Sequence, residues 1–156
     1  MSADERVAML EKLNQAFTAF VPHNAALGMR IVDYEAGVAV IELPYSLELV
    51  GHPDTGVLHG GVITSLIDAT SGAAVYMKLG QPVPIATLDL RIDYLKPAAP
   101  GRAVLARATC YRLTRNVGFT RAVAYHDDPD DPIASSAGAF MIATKGVAAI
   151  RMKATP

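Results

Sequence analysis

The chain has 156 residues, 51% of them hydrophobic, and its 14 Lys and Arg against 15 Asp and Glu give a formal net charge of −1. That length and apolar content predict one folded domain over residues 1–156 and exclude a disordered chain, while the balanced charge excludes the basic surface typical of nucleic-acid binding. The single cysteine, Cys110, excludes a disulfide framework and a multi-cysteine zinc site, so we expect neither nucleic acid nor metal to bind.

The N-terminal segment predicts an amphipathic helix within residues 1–22. Ser2 followed by Glu5 is a capping-box pattern, and apolar residues then recur every three or four positions up to Phe20. We expect Pro22 to end this helix. The segment lacks the basic tip and apolar run of a targeting sequence, and no apolar stretch approaches the roughly 20 residues that span a bilayer. The expected location is therefore the cytoplasm, without a membrane partner.

Strand patterns follow on both sides of a central segment. Met29–Tyr34 and Val38–Leu43 predict two strands joined by a turn at Gly37, and residues 45–58 predict a loop. Runs rich in apolar, β-branched and aromatic residues predict four more strands, at Ile85–Leu95, Ala103–Leu113, Phe119–His126 and Ile133–Ala143.

The central segment, residues 60–80, predicts a long helix that is apolar around most of its circumference. A helix of that kind is expected to be buried on nearly all sides. The order of helix, two strands, long helix and four strands therefore predicts an α+β fold. We expect an antiparallel sheet of about six strands wrapped around the long helix.

Asp68 is the acidic residue of this helix, and no cation lies three or four positions from it. One interpretation is an acid held by backbone groups or hydroxyls of another strand. The other is a catalytic acid, acting as a general base on water or as a nucleophile through an anhydride.

Gly60 and Gly61 stand at the predicted start of the same helix. Amides at a helix N-terminus lack intrahelical acceptors and carry the positive end of the helix dipole, so they can bind a carbonyl that becomes an oxyanion. The alternative is that both glycines serve only a tight turn between loop and helix.

These residues resemble a known family. The run from Gly56 to Gly61, followed by Leu66-Ile67-Asp68, is similar to the hotdog-fold thioesterases of the PaaI-like (phenylacetic acid degradation) type, and Thr87–Pro97 is similar to their strand after the helix. The resemblance runs from about Leu27 to Ala143. It implies a hotdog fold and hydrolysis of an acyl-CoA thioester to free acid and CoA.

The resemblance also implies residue roles. Asp68 would be the catalytic acid and Gly60 the oxyanion donor supported by Gly61, while His59 would orient the carbonyl and Thr87 would place a hydroxyl near the acid. The family commonly carries an asparagine six residues before the histidine, which positions water or the thioester, and this chain has Pro53 there. We expect His52 to replace that asparagine, with Asp54 the lesser candidate.

The remaining implications concern the substrate. We expect no metal or redox cofactor, because coenzyme A enters only as part of the substrate. Its phosphates need cationic and polar partners, for which Lys96, Arg115 and Asn116 are the candidates. Ordinary solvated charge is the alternative interpretation of the two cations.

Helix geometry predicts an assembly. Gly60 and Asp68 are separated by a helical rise of about 12 Å, whereas a reacting carbonyl lies about 3 Å from both its donor and the attacking group. Two chains related by a two-fold axis could supply one group each. We therefore expect a homodimer or a dimer of dimers with its sites at the subunit interface.

Two rival functions remain open. A hotdog hydratase or dehydratase acting on acyl thioesters would carry a histidine five residues after the acid, where this chain has Ala73. A non-catalytic acyl-CoA-binding module would share the pocket but lack a productive acid.

Overall fold

A computed structural model describes residues 2–81 and 83–142. Its helices are α1 (Ala3–Ala19), α2 (Pro22–Ala26) and α3 (Gly60–Leu79), with a 3₁₀ turn at Leu47–Leu49. Its strands are β1 (Arg30–Glu35), β2 (Val38–Leu43), β3 (Val50–His52), β4 (Val57–Leu58), β5 (Ile85–Tyr94), β6 (Val104–Leu113), β7 (Val117–Tyr125) and β8 (Ala134–Ile142). None of the helices described is both long and apolar enough to cross a membrane.

Six strands form one antiparallel sheet in the order β1-β2-β6-β7-β8-β5, and α3 packs on one face of it. The sheet positions beneath the helix are small, including the fully buried Ala106, Ala108 and Ala124. These alanines allow close approach of α3, whose Leu66 and Ile67 are also fully buried. The expected α+β architecture, a six-stranded antiparallel sheet around a long helix, is confirmed.

The N-terminal segment differs from expectation at its end. The capping box is present, because the Ser2 hydroxyl accepts from the Glu5 amide at 3.2 Å and the Ser2 amide donates to the Glu5 carboxylate at 2.6 Å. The first helix ends at Ala19, however, and Pro22 begins α2 instead of closing α1. Proline is well tolerated at the first helical position, where its missing N–H is not needed.

Two further expectations change in detail. Residues 45–58 are not all loop, since β3 and β4 form a small hairpin there. The helix α3 stops one residue earlier than the expected 60–80, because Gly80 adopts the left-handed conformation at φ 65° and caps it. Ala143, the last residue of the final predicted strand, and Met1 of the predicted N-terminal helix lie outside the described residues.

The prediction that α3 is buried on nearly all sides is wrong for its first half. Ile63, Leu66 and Ile67 face the sheet, but Thr64 and Asp68 are only partly buried. The continuously buried part of α3 is Thr70–Val75, which contains the small apolar Ala73 and Ala74, whereas Tyr76 near its end is exposed again. Polar side chains thus face outward near the helix N-terminus.

The two edges of the sheet are protected differently. At β1, the Asn14 side chain of α1 accepts from the Ile31 amide at 2.7 Å and donates to the Ile31 carbonyl at 2.8 Å, as a neighbouring strand would. At the other edge, β5 pairs only with β8 among the described strands, and its Leu88 and Tyr94 are more than half exposed. The β5 edge is therefore open to another strand.

Candidate active site

His59 caps the N-terminus of α3. Its backbone is extended (φ −62°, ψ 136°), and its Nδ1 accepts from the Gly61 amide at 2.9 Å. Because Nδ1 accepts, the proton of the neutral ring lies on Nε2. The backbone of Gly51 in β3 packs closely against His59, since a Cβ added to this glycine would lie only 3.0 Å from the His59 Cα. The close strand β3 thus fixes the histidine at the start of the helix.

The two glycine amides at this helix start have different partners. Gly61 donates to His59, whereas the Gly60 amide has no acceptor within residues 2–81 and 83–142. An N-terminal amide without a partner is available to an oxygen of a ligand. Gly60, and not Gly61, therefore presents the free donor.

The Gly60 carbonyl is held from the side of β5. Tyr94 Oη donates to it at 2.8 Å and lies 2.6 Å from the Thr64 hydroxyl, which is itself 3.2 Å from the same carbonyl. Tyr94 entered the sequence-based predictions only within the motif Thr87–Pro97, and Thr64 was given no role there. No local pattern signals a contact between residues that are 34 positions apart.

Asp68 lies two turns further along α3, also on the side of β5. The Thr87 hydroxyl donates to Asp68 Oδ1 at 2.8 Å, and Oδ2 has no hydrogen-bond partner in the described part of the chain. The structure thus brings together the acid and the strand hydroxyl that were named as a pair. This contact fits a catalytic acid and equally fits an acid held by a hydroxyl of another strand.

His52 forms no hydrogen bond or ion pair with this acid in the described part of the chain. It ends β3 at the exposed tip of the small hairpin, where its carbonyl accepts from the Thr55 and Gly56 amides at 3.2 and 3.0 Å. Its imidazole has no hydrogen-bond partner among the described residues. Pro53 and Asp54 form the exposed turn beside it.

The three residues expected to bind phosphates lie apart from one another. Lys96 forms an ion pair with Asp131, which lies in the loop between β7 and β8. Arg115 and Asn116 lie in the exposed turn between β6 and β7, and the nearby Gly118 packs against Val75 in the second half of α3. Within one chain, that turn is therefore at the opposite end of α3 from Gly60.

A cleft of about 330 Å³ opens beside the helix start. Its walls come from α2, the turn at Leu47–Leu49 and the first turns of α3, and they include the apolar Leu27 and Val62. His59 and Gly61 line it, whereas Asp68 and Thr87 do not. The described residues contain no group of three or more His, Cys, Asp or Glu side chains that could hold a metal ion.

Comparison with protein families gives a match to the thioesterase superfamily over residues 55–133, which contain the glycine pair, Asp68 and Thr87. The chain is 30% identical over 146 residues to the medium/long-chain acyl-CoA thioesterase YigI of Escherichia coli K12, covering 85% of this chain and 93% of that protein. It is 37% identical over 95 residues to a putative esterase of Halobacterium salinarum, a match that spans 59% of this chain and 62% of the archaeal protein.

Solved structures agree with the fold. A Pseudomonas aeruginosa protein superposes with a TM-score of 0.76 at 44% identity, covering 85% of this chain and 97% of its own. A mutant of the phenylacetic acid degradation protein PaaI from Thermus thermophilus superposes with a TM-score of 0.67 at 25% identity, covering 77% and 97% of the two chains.

Proposed function

Because the chain belongs to the thioesterase superfamily and is a hotdog-fold thioester hydrolase of the PaaI-like type, we propose that it is an acyl-CoA thioesterase. In this reaction one water molecule is consumed and the C–S bond of the thioester breaks. The thiolate takes up a proton and leaves as coenzyme A, and the acyl group leaves as a free acid. No electrons are transferred, so the proposed reaction takes no redox cofactor.

The observation that carries this proposal is the free Gly60 amide at the N-terminus of α3. A thioester carbonyl that accepts from this amide gains a hydrogen bond that strengthens as negative charge develops on the oxygen. The positive end of the helix dipole acts in the same direction. Gly60 is therefore the proposed oxyanion donor, and His59 and Gly61 hold the turn around it.

Asp68 is the proposed catalytic acid. The Thr87 hydroxyl bonds to Oδ1, which fixes the carboxylate and leaves Oδ2 free to take a proton from water or to attack the carbonyl carbon. Solvent oxygen enters the Asp68 carboxylate only when water attacks the aspartyl carbon of an anhydride. A single turnover in ¹⁸O-labelled water that labels Asp68 therefore establishes the anhydride route.

The proposed active form is a homodimer, alone or within a dimer of dimers. The open edge of β5 supports it, because an unpaired ten-residue strand can pair with the same strand of a second copy. Antiparallel pairing of β5 with itself brings the Thr87 end of one strand towards the Tyr94 end of the other. Asp68 of one subunit would then approach Gly60 of the second.

The same two-fold arrangement bears on binding of the coenzyme A phosphates. It brings the turn with Arg115 and Asn116 of one subunit to the end of the joined sheet where Gly60 of the other lies. Arg115 has no side-chain partner among the described residues, whereas Lys96 is paired with Asp131. We therefore favour Arg115 over Lys96 as the phosphate partner, with Asn116 beside it.

The test is release of free thiol from a panel of purified acyl-CoAs, with aromatic and with short, medium and long aliphatic acyl groups. We expect turnover of at least one thioester, and a loss on the order of 10² or more in kcat for Asp68→Asn, which keeps the shape of the side chain but not its basicity. Circular dichroism and thermal unfolding provide the control for folding.

Two outcomes would contradict the proposal. Tight acyl-CoA binding without turnover would indicate the non-catalytic binding module. Hydration or dehydration of the acyl chain without thiol release would indicate the hydratase, although Ala73 occupies the position where that class carries its histidine.

A further inference from the structure

We propose that the Tyr94 hydroxyl, together with Thr64, is a positioning device for the oxyanion donor Gly60. This inference rests on the proposed thioesterase function and assigns a role to two residues outside the acid and glycine motif. Neither side chain needs to touch the substrate. Both act through the backbone of the first helical turn.

The contacts form a closed polar triangle. Tyr94 Oη lies 2.8 Å from the Gly60 carbonyl oxygen, and the Thr64 hydroxyl lies 2.6 Å from Tyr94 Oη and 3.2 Å from the same carbonyl. With Tyr94 donating to the carbonyl, the single proton of the Thr64 hydroxyl can be donated to Tyr94 Oη at the shorter distance of 2.6 Å. The carbonyl is thus held directly by a residue of an edge strand, and that residue is held by a hydroxyl of the helix.

The need for such a device follows from the two consecutive glycines. Glycine has more backbone freedom than any other residue, so a donor on Gly60 is poorly fixed by local sequence. The peptide between Gly60 and Gly61 is held at both ends, because its carbonyl accepts from Tyr94 and its N–H donates to His59 Nδ1. Fixing this peptide limits rotation at Gly60 and so holds the direction of the free amide before the substrate binds.

Preorganised donors are more effective than mobile ones, because no reorganisation is needed as charge develops on the oxygen. The Tyr94 hydroxyl therefore contributes mainly to the transition state and little to ground-state binding. Its ring also lies beside Gly60, since a Cβ built on that glycine would be 3.7 to 3.8 Å from Tyr94 atoms. A phenylalanine keeps that contact and removes only the hydroxyl.

The experiment compares Tyr94→Phe and Thr64→Val with the wild type. We expect Tyr94→Phe to lower kcat about three- to tenfold, the loss typical of one hydrogen bond, with KM changed less than about twofold. Thr64→Val should give a smaller loss, and Thr64→Ser, which keeps the hydroxyl, should restore activity. The double variant Tyr94→Phe/Thr64→Val should lose less than the product of the two single losses, because both act on one carbonyl.

Tyr111→Phe is the matched control. Tyr111 is 53% exposed, close to the 51% of Tyr94, and its hydroxyl has no hydrogen-bond partner within the described ranges. A second readout is the affinity for an acyl-CoA trifluoromethyl ketone, whose hydrated form resembles the tetrahedral intermediate. This affinity should fall in Tyr94→Phe in parallel with kcat/KM. Affinity for an S-alkyl-CoA thioether, in which a CH₂ group replaces the carbonyl, should not change.

The inference is overturned if Tyr94→Phe turns over like the wild type. It is equally overturned if the loss lies in KM alone, or if the two analogues lose affinity to the same extent. These outcomes leave the proposed function intact, because the wild type still hydrolyses the thioester. A wild type that releases no thiol would instead overturn the proposed function, and the inference with it.

Discussion

The polar groups at the start of α3 show how neighbouring residues of one motif take different parts. The Gly61 amide donates to His59, the Gly60 carbonyl accepts from Tyr94, and only the Gly60 amide has no partner among the described residues. Two adjacent glycines that look equivalent in the sequence therefore differ chemically. The difference comes from the cap, because Nδ1 of His59 reaches the second amide and not the first.

At the residue scale, His52 is the proposed residue for positioning the attacking water. His52→Ala should lower kcat about tenfold and change KM less than about twofold, as expected for loss of one hydrogen bond to the attacking water. Its free imidazole, without a partner in the described part of the chain, is available for this role. Steady-state kinetics on the substrate identified in the panel measure the effect.

Asp54→Asn provides the comparison, since Asp54 lies in the same exposed turn. It should retain activity within about twofold. Equal losses in the two variants would point to the turn itself, and unchanged turnover in His52→Ala would remove His52 from the mechanism.

At the scale of elements, the two edge strands define which side of the molecule can pair. The α1 helix closes the β1 edge through Asn14, and Arg6 reinforces it by donating to the Tyr34 carbonyl at 3.0 Å and pairing with Asp33. The β5 edge has no such cover among the described residues. The β5 edge is therefore the one available for the proposed pairing with a second copy.

The contribution of the Asn14 contacts at the β1 edge can be measured as a change in the free energy of unfolding. Asn14→Ala leaves the amide and carbonyl of the buried Ile31 without their side-chain partner, so the free energy of unfolding should fall by about 1–3 kcal/mol. Urea denaturation followed by circular dichroism measures the change. Gln15→Ala, at the exposed neighbouring position, should stay within about 0.5 kcal/mol of the wild type. Equal stability of the two variants would show that the Asn14 contacts contribute nothing.

At the scale of the whole molecule, we expect the proposed site to need a second chain. Gly60 and Asp68 are separated by a helical rise of about 12 Å, too far for one carbonyl to meet both. Both nevertheless lie on the side of α3 next to β5, where they contact Tyr94 and Thr87. A helix face that follows an open sheet edge is well placed to share a site with a second copy.

Subunit mixing tests the shared site. Gly60→Pro removes the donor with little expected distortion, because Gly60 is the first helical residue and His59 already has the extended backbone that precedes proline. Mixed with Asp68→Asn, each hybrid dimer contains one site with both lesions and one with neither. Random pairing of equal amounts should restore about a quarter of the wild-type activity.

Each variant alone is the control and should remain inactive. Native mass spectrometry verifies that subunits have exchanged. Confirmed exchange without any return of thiol release would rule out a site shared between subunits.

The sequence alone determined the features that depend on nearest neighbours. The capping box of Ser2 and Glu5, the turn at Gly37 and the start of α3 at Gly60 follow from caps, turns and periodicity within a few residues. The resemblance then named Asp68 and Thr87 as neighbours. The prediction that Pro22 ends the first helix was wrong, because proline also fits the first position of a helix and Pro22 begins α2.

Only the tertiary structure decided which distant groups meet. Tyr94 reaches Gly60 across 34 positions, and Lys96 is paired with Asp131 across 35. It also decided the strand order β1-β2-β6-β7-β8-β5, and with it the open edge. Such contacts depend on how α3 and the strands pack together, and packing is a sum over many residues far apart in the chain that no local pattern contains.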